Sequence, residues 1–191
     1  MGYSSAEAQL LSVPPYAVAF VLMITVAVLS ERTHRRAIFI IGSSCVGIIG
    51  YIILISQNRP WVSYGGTILA AAGIYPGAAI VLAWPANNVS GQTKRAAATG
   101  LQITIGNMGA VIGSQLYRPA TSPRYFLGHA FAMGYLVANI VVVTVQWLIL
   151  KKANAQKEAE RERLGIGLLT EIGDAGGDFQ GDGDPRWVFQ L

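Results

Sequence analysis

Two stretches of this chain, 37–55 and 62–84, contain no charged residue at all. Each is long enough to cross the ~30 Å hydrocarbon layer of a bilayer as a helix, which takes about 20 apolar residues. A soluble domain has no use for two such runs in succession. The rest of the chain agrees: its mean hydropathy is +0.44, with 52% hydrophobic and only 13% charged residues. The reading is therefore an all-α membrane protein with five transmembrane spans, at about 10–29, 38–55, 62–84, 96–117 and 127–150. Residues 1–155 form the membrane bundle, and 156–191 form a cytoplasmic, largely disordered tail rich in Gly and Asp.

The basic residues sit at the ends of these runs. Arg32, Arg35, Arg36, Lys94, Arg95, Lys151, Lys152, Lys157, Arg161 and Arg163 fall on one side, and Arg59, Arg118 and Arg124 on the other. Ten against three places the first side in the cytoplasm, with the N-terminus outside and the C-terminus inside. The net charge of +4 is thereby explained by topology, and nucleic acid is excluded as its cause. The sequon at Asn88 lies on the cytoplasmic side and should carry no glycan. Cys45 reads as a small buried hydrophobe. The tail acids Asp174, Asp178, Asp182 and Asp184 lack calcium-loop spacing. His34 and His129 have no ligand partner at metal spacing, so neither a metal nor a cofactor is expected. No nucleophile elbow, phosphate loop or carboxylate pair lies in the spans, which leaves an enzyme reading without residues to carry it.

Polar groups inside apolar spans carry the functional information, because each needs a partner other than lipid. In the fourth span Gln102, Gly106, Gly109 and Gly113 recur at spacings of four, three and four and share one helix face, with Asn107 beside it. The glycines suit close helix packing. Gln102 and Asn107 fit either bonding between helices or the lining of a cavity. In the third span Gly73 and Gly77 flank Tyr75 and Pro76. The proline bends the helix, and Tyr75 is either a packed side chain at a kink or a polar handle in a pathway. In the loop Ser30–Arg36, Glu31 is unneeded for topology. It is either solvated or paired with an arginine or with a helix N-terminus, a contact that could hold one conformation and release another.

These residues resemble a known family. The stretch LSERTHRR, Leu29 to Arg36, resembles the second copy of the signature loop of the major facilitator superfamily, with Ala27 where a glycine is usual. The segments GYSSAEAQLLSVPPY, AAAGIYP, LAWPANNVSGQTKRA, GNMGAVIGSQLYRP, SPRYFLGH and DPRWVFQL resemble the fungal anion:cation symporter branch, the allantoate permease-like transporters. The resemblance implies a twelve-helix fold in two halves that rock about a central cavity, of which this chain would supply helices 8–12. It further implies proton-coupled import of a small organic anion such as allantoate, nicotinate or a vitamin carboxylate across the plasma membrane. Tyr16, Tyr75, Gln102 and Asn107 would line the cavity. Glu31, Arg32, Arg35 and Arg36 would form the gating loop, with Glu31 reaching a helix of the missing N-terminal half. Taken by itself, the chain is expected to be a truncated product that associates with other helices or relatives and does not transport.

Overall fold

The computed structural model describes residues 5–57, 59–117, 125–166 and 181–191. Five helices follow one another: α1 Ser5–Thr33, α2 Arg36–Ser56, α3 Pro60–Asn88, α4 Gln92–Leu116 and α5 Phe126–Leu164. Among the described residues there is no strand. Four of the five expected spans lie inside these helices, and the fourth, 96–117, runs one residue past the end of α4. Four helices, α1, α2, α3 and α5, are long and apolar enough to cross a membrane. The exception is α4. Its 25 residues would reach about 37 Å at 1.5 Å per residue, so length is not what it lacks. Lys94 and Arg95 in its first turns and Gln102, Asn107, Ser114 and Gln115 further along dilute its apolar character. The chain is an all-α integral membrane protein.

The centre of the bundle is the crossing of α2 and α3, with α1 against the other side of α3 and α5 against α2. Small residues make the crossing possible. A Cβ on Gly73 would sit 2.2 Å from Gly47 N and 2.6 Å from Ser43 O. A Cβ on Gly50 would sit 2.4 Å from Ala70 N. These are backbone atoms that cannot step aside. Ser43, Gly47 and Gly50 on α2, and Gly66, Ala70, Gly73 and Gly77 on α3, each fall on one helical stripe. Lipid is as apolar as any side chain, so tight backbone packing, rather than exclusion of water, holds such helices together. Toward the end of the bundle that carries most of the basic residues, Ala37, Ile40, Ile80, Trp84, Val143 and Leu150 form the buried core. At the opposite end Tyr51, Tyr117, Tyr125 and His129 gather. Tyr117 Oη lies 3.2 Å from His129 Nδ1, and the Tyr117 ring covers Gly128.

Prolines stand inside two of these helices without ending them. Each removes one N–H and so frees the carbonyl four residues earlier. In lipid a freed carbonyl is costly. Two of them are answered from neighbouring helices. Pro15 frees Leu11 O, and Tyr64 Oη of α3 donates to it at 3.0 Å. Pro85 frees Val81 O, and Gln102 Nε2 of α4 donates to it at 2.8 Å. α1 runs through both Pro14 and Pro15.

α5 continues past the apolar span to Leu164 and ends on Gly165, which has φ 65° and donates to Arg161 O and Glu162 O. Only glycine takes that conformation without strain. A disordered tail was expected from residue 165 onward. Residues 181–191 depart from it: Phe189 and Leu191 pack against the buried core, and Asp184 is 2% exposed. The apolar run Trp187–Leu191 has greasy surface to bury, which an acidic Gly-rich composition hid. The acids Asp174 and Asp178 lie outside the described residues.

Two consequences can be measured on detergent-solubilised protein. Gly73→Ala should lower stability by about 1–3 kcal/mol through overpacking, whereas Gly106→Ala, with open space around its Cβ, should leave the unfolding midpoint unchanged. Tyr64→Phe and Gln102→Leu should each cost about 1 kcal/mol, the worth of one hydrogen bond. Their double variant should be additive, because the two bonds close different carbonyls.

Candidate functional site

The sequence-predicted site residues separate into two groups. At the basic end, α1 and α2 are joined by only His34 and Arg35. The expected seven-residue loop is therefore a tight link. His34 takes the left-handed conformation, φ 52°, which lets the chain reverse in so few residues. Thr33 Oγ1 returns to Leu29 O at 2.9 Å and closes the last turn of α1.

Glu31 thus sits in the last turn of α1 and Arg36 opens α2. Each is on the wrong end of its helix: an acid meets the negative C-terminus and a base the positive N-terminus. Their side chains pair with each other, Arg36 Nη2 donating to Glu31 Oε2. Of the roles open to Glu31, pairing with an arginine is the one seen, with a partner five residues away. The pair is unequal. The Arg36 side chain is 7% exposed and that of Glu31 61%, so the glutamate is screened and the pair by itself is worth at most about 1 kcal/mol. The buried guanidinium needs more. Turned with its oxygen toward Arg36, the Asn87 amide of α3 accepts from Nη1 at 3.1 Å and Nη2 at 2.6 Å. The backbone N–H of Arg36 donates to Leu191 O. Arg32 and Arg35 are exposed and stay outside this cluster.

The second group lies within the membrane. Tyr16 of α1 and Tyr75 of α3 meet edge to face, with ring centroids 5.7 Å apart. Both remain substantially exposed, at 55% and 40%. Tyr75 is therefore neither sealed at a kink nor alone, but one of a tyrosine pair on an open surface. Gln102 has its amide nitrogen on Val81 O while its Oε1 is buried with no partner. Helix bonding and a spare acceptor are combined in one side chain. Asn107 is exposed on α4. A Cβ on Gly106, Gly109 or Gly113 would meet nothing within 4 Å, whereas one on Gly73 or Gly77 would touch α2. The helix-packing role expected for the three α4 glycines has no partner helix among the described residues. No residue of α4 is buried, and Leu101, Ile105, Met108 and Val111 stand open.

Residues unmarked by the sequence reading join the basic end. Asn154 of α5 and the segment 181–191 enter the Arg36 cluster from the far side. The only signal for them was the apolar character of Trp187–Leu191 at the end of a polar stretch.

No protein-family model matches the chain, and no solved structure does. Curated relatives do. An uncharacterized transporter of Schizosaccharomyces pombe is 33% identical over 94% of this chain and 36% of its own length. An MFS-type transporter of Penicillium expansum is 37% identical over 93% of this chain and 36% of its own. The high-affinity nicotinic acid transporter of Saccharomyces cerevisiae is 30% identical over 85% of this chain and 30% of its own. The chain spans about a third of the length of the curated relatives it matches. With four helices long and apolar enough to cross a membrane and an MFS-type transporter aligned along most of its length, the chain belongs to the major facilitator superfamily.

Proposed function

We propose that the chain is the C-terminal part of a secondary active transporter that imports a small organic anion together with a proton by alternating access. The observation that carries this reading is the open face of α4. It bears Asn107 and three glycines with nothing packed on them, beside Gln102 with its spare acceptor and near the exposed Tyr16–Tyr75 pair. A helix with that surface suits one wall of an aqueous cavity whose other wall is a second helical half. Tyr16, Tyr75, Gln102 and Asn107 offer hydroxyl and amide groups for a planar polar substrate. Among the described residues no Lys or Arg lies in the apolar core of a helix, so the charge that pairs with an anionic substrate is supplied by the other half. No Asp or Glu lies there either, and proton coupling is assigned to the other half on the same ground. A nicotinic acid transporter among the relatives favours aromatic carboxylates as the substrate class. The charge count favours placing the basic end in the cytoplasm.

Radiolabelled nicotinate uptake in yeast lacking its own transporter tests this. The chain would be expressed alone and as a replacement for the matching third of the nicotinic acid transporter. The expected result is no uptake from the chain alone and uptake from the chimera, with Asn107→Ala in the chimera raising KM on the order of tenfold, as for a lost substrate hydrogen bond. Uptake by the chain alone would overturn the half-cavity reading. A chimera that reaches the plasma membrane and moves no nicotinate, allantoate or vitamin carboxylate would favour a non-transporting helical partner instead.

A further inference from the structure

Residues 181–191 are held at the basic end by a pair of contacts of one kind, made from opposite sides. On α3, the Asn88 carboxamide bonds both backbone groups of Gln190: Nδ2 donates to its O at 3.1 Å, and its N–H donates to Oδ1 at 2.7 Å. On α5, the Asn154 carboxamide does the same to Phe189: Nδ2 donates to its O at 2.9 Å, and its N–H donates to Oδ1 at 2.9 Å. One side chain reaches a residue's N–H and C=O together only when both point the same way, as they do in extended backbone. Successive residues of extended backbone point these groups to opposite sides, which is why neighbours 189 and 190 are served by opposite helices. The two asparagines imitate the flanking strands of a sheet.

The rest of the groove fits that occupant. Trp84 Nε1 adds a bond to Gln190 O at 2.9 Å. Phe189 and Leu191, two apart and so on one side of extended backbone, pack on the buried core, while Val188 between them and the turn is 46% exposed. Lys157 Nζ lies 4.1 Å from the centre of the Phe189 ring and donates to Asp182 O at 2.5 Å and Trp187 O at 3.1 Å. Lys94 reaches Asp182 Oδ1 at 3.4 Å. Burial pushes the Lys157 ammonium down from its ordinary range, against the pull of Asp182 and Asp184. At the far end Leu191 O takes the N–H of Arg36.

We infer that the groove between α3 and α5 is a binding site for an extended peptide, that its occupant is the chain's own segment 181–191, and that docking sets the Arg36–Glu31 pair. Recognition is of two kinds. Asn88 and Asn154 read backbone, so the groove is indifferent to the side chain at 190. The core beneath reads an aromatic residue followed two places on by an aliphatic one. The docked segment takes the N–H of Arg36 at Leu191 O. Release leaves the N–H of Arg36 without Leu191 O and frees the α1–α2 link.

Hydrogen exchange on the full chain in nanodiscs, read by mass spectrometry, is the test. Peptides covering 187–191 should be protected. Asn88→Ala and Asn154→Ala should each reduce that protection on the order of tenfold, two hydrogen bonds being removed, with α2 and α3 unchanged. Phe189→Ala should do likewise, and Gln190→Thr should not. Tryptic cleavage after Arg35 and Arg36 should quicken in the asparagine variants. In a chain shortened to 1–180, a labelled synthetic peptide of residues 181–191 should bind saturably and slow that cleavage again. Exchange of 187–191 at the rate of the free peptide in the unsubstituted chain would overturn the docking. Unchanged cleavage in the asparagine variants, with docking lost, would overturn the link to Arg36 and Glu31.

Discussion

Within a bilayer there is no water to accept what a proline leaves behind, and that constraint organises this bundle. Pro15 and Pro85 each strip a helix of one hydrogen bond and present a bare carbonyl at membrane depth. The structure meets both with a side chain from the neighbouring helix, Tyr64 for Leu11 O and Gln102 for Val81 O. The two contacts tie α1 to α3 and α4 to α3. Together with the glycine crossing of α2 on α3, they make α3 the helix against which three others are positioned. A proline that would break a soluble helix here specifies where its neighbour must lie.

The same contacts explain why α4 holds its place with so little burial. It has no buried residue, and hydrophobic exclusion is not available in lipid. Gln102 to Val81 O and Tyr117 over Gly128 fix it at two levels instead. A helix held by points rather than by a packed seam keeps one face clear. That clear face is what a rocking transporter half needs at its cavity.

How far this was legible varied with the physics behind each element. Length and charge-free runs set the helices, because bilayer thickness leaves few alternatives. The pair Gly73 and Gly77 suited a close crossing, but spacing alone cannot name the partner stripe, and the α4 glycines of equal regularity face open space. Glu31 was marked as odd, yet its partner depended on the α1–α2 link being two residues long, which rests on His34 adopting φ 52°. Nothing in local composition announces that conformation at a histidine. The tail was misread for a related reason: its average is acidic and Gly-rich, while four of its last five residues are apolar, and averages conceal the part that binds.

The tail and the signature loop meet at one residue. Arg36 is buried, carries a permanent charge and opens a helix whose dipole opposes it. Glu31 from α1 and Asn87 from α3 meet its Nη donors and Leu191 meets its backbone N–H, while Nε is buried with no partner among the described residues. Removing Glu31 or Asn87 leaves a buried cation short of a partner, and in low dielectric that is costlier than never having formed the cluster. The cluster is therefore cooperative. A loop whose sequence reads as a simple charge motif behaves as one arm of a three-way junction, and a segment more than 150 residues away in the chain is part of what holds it closed.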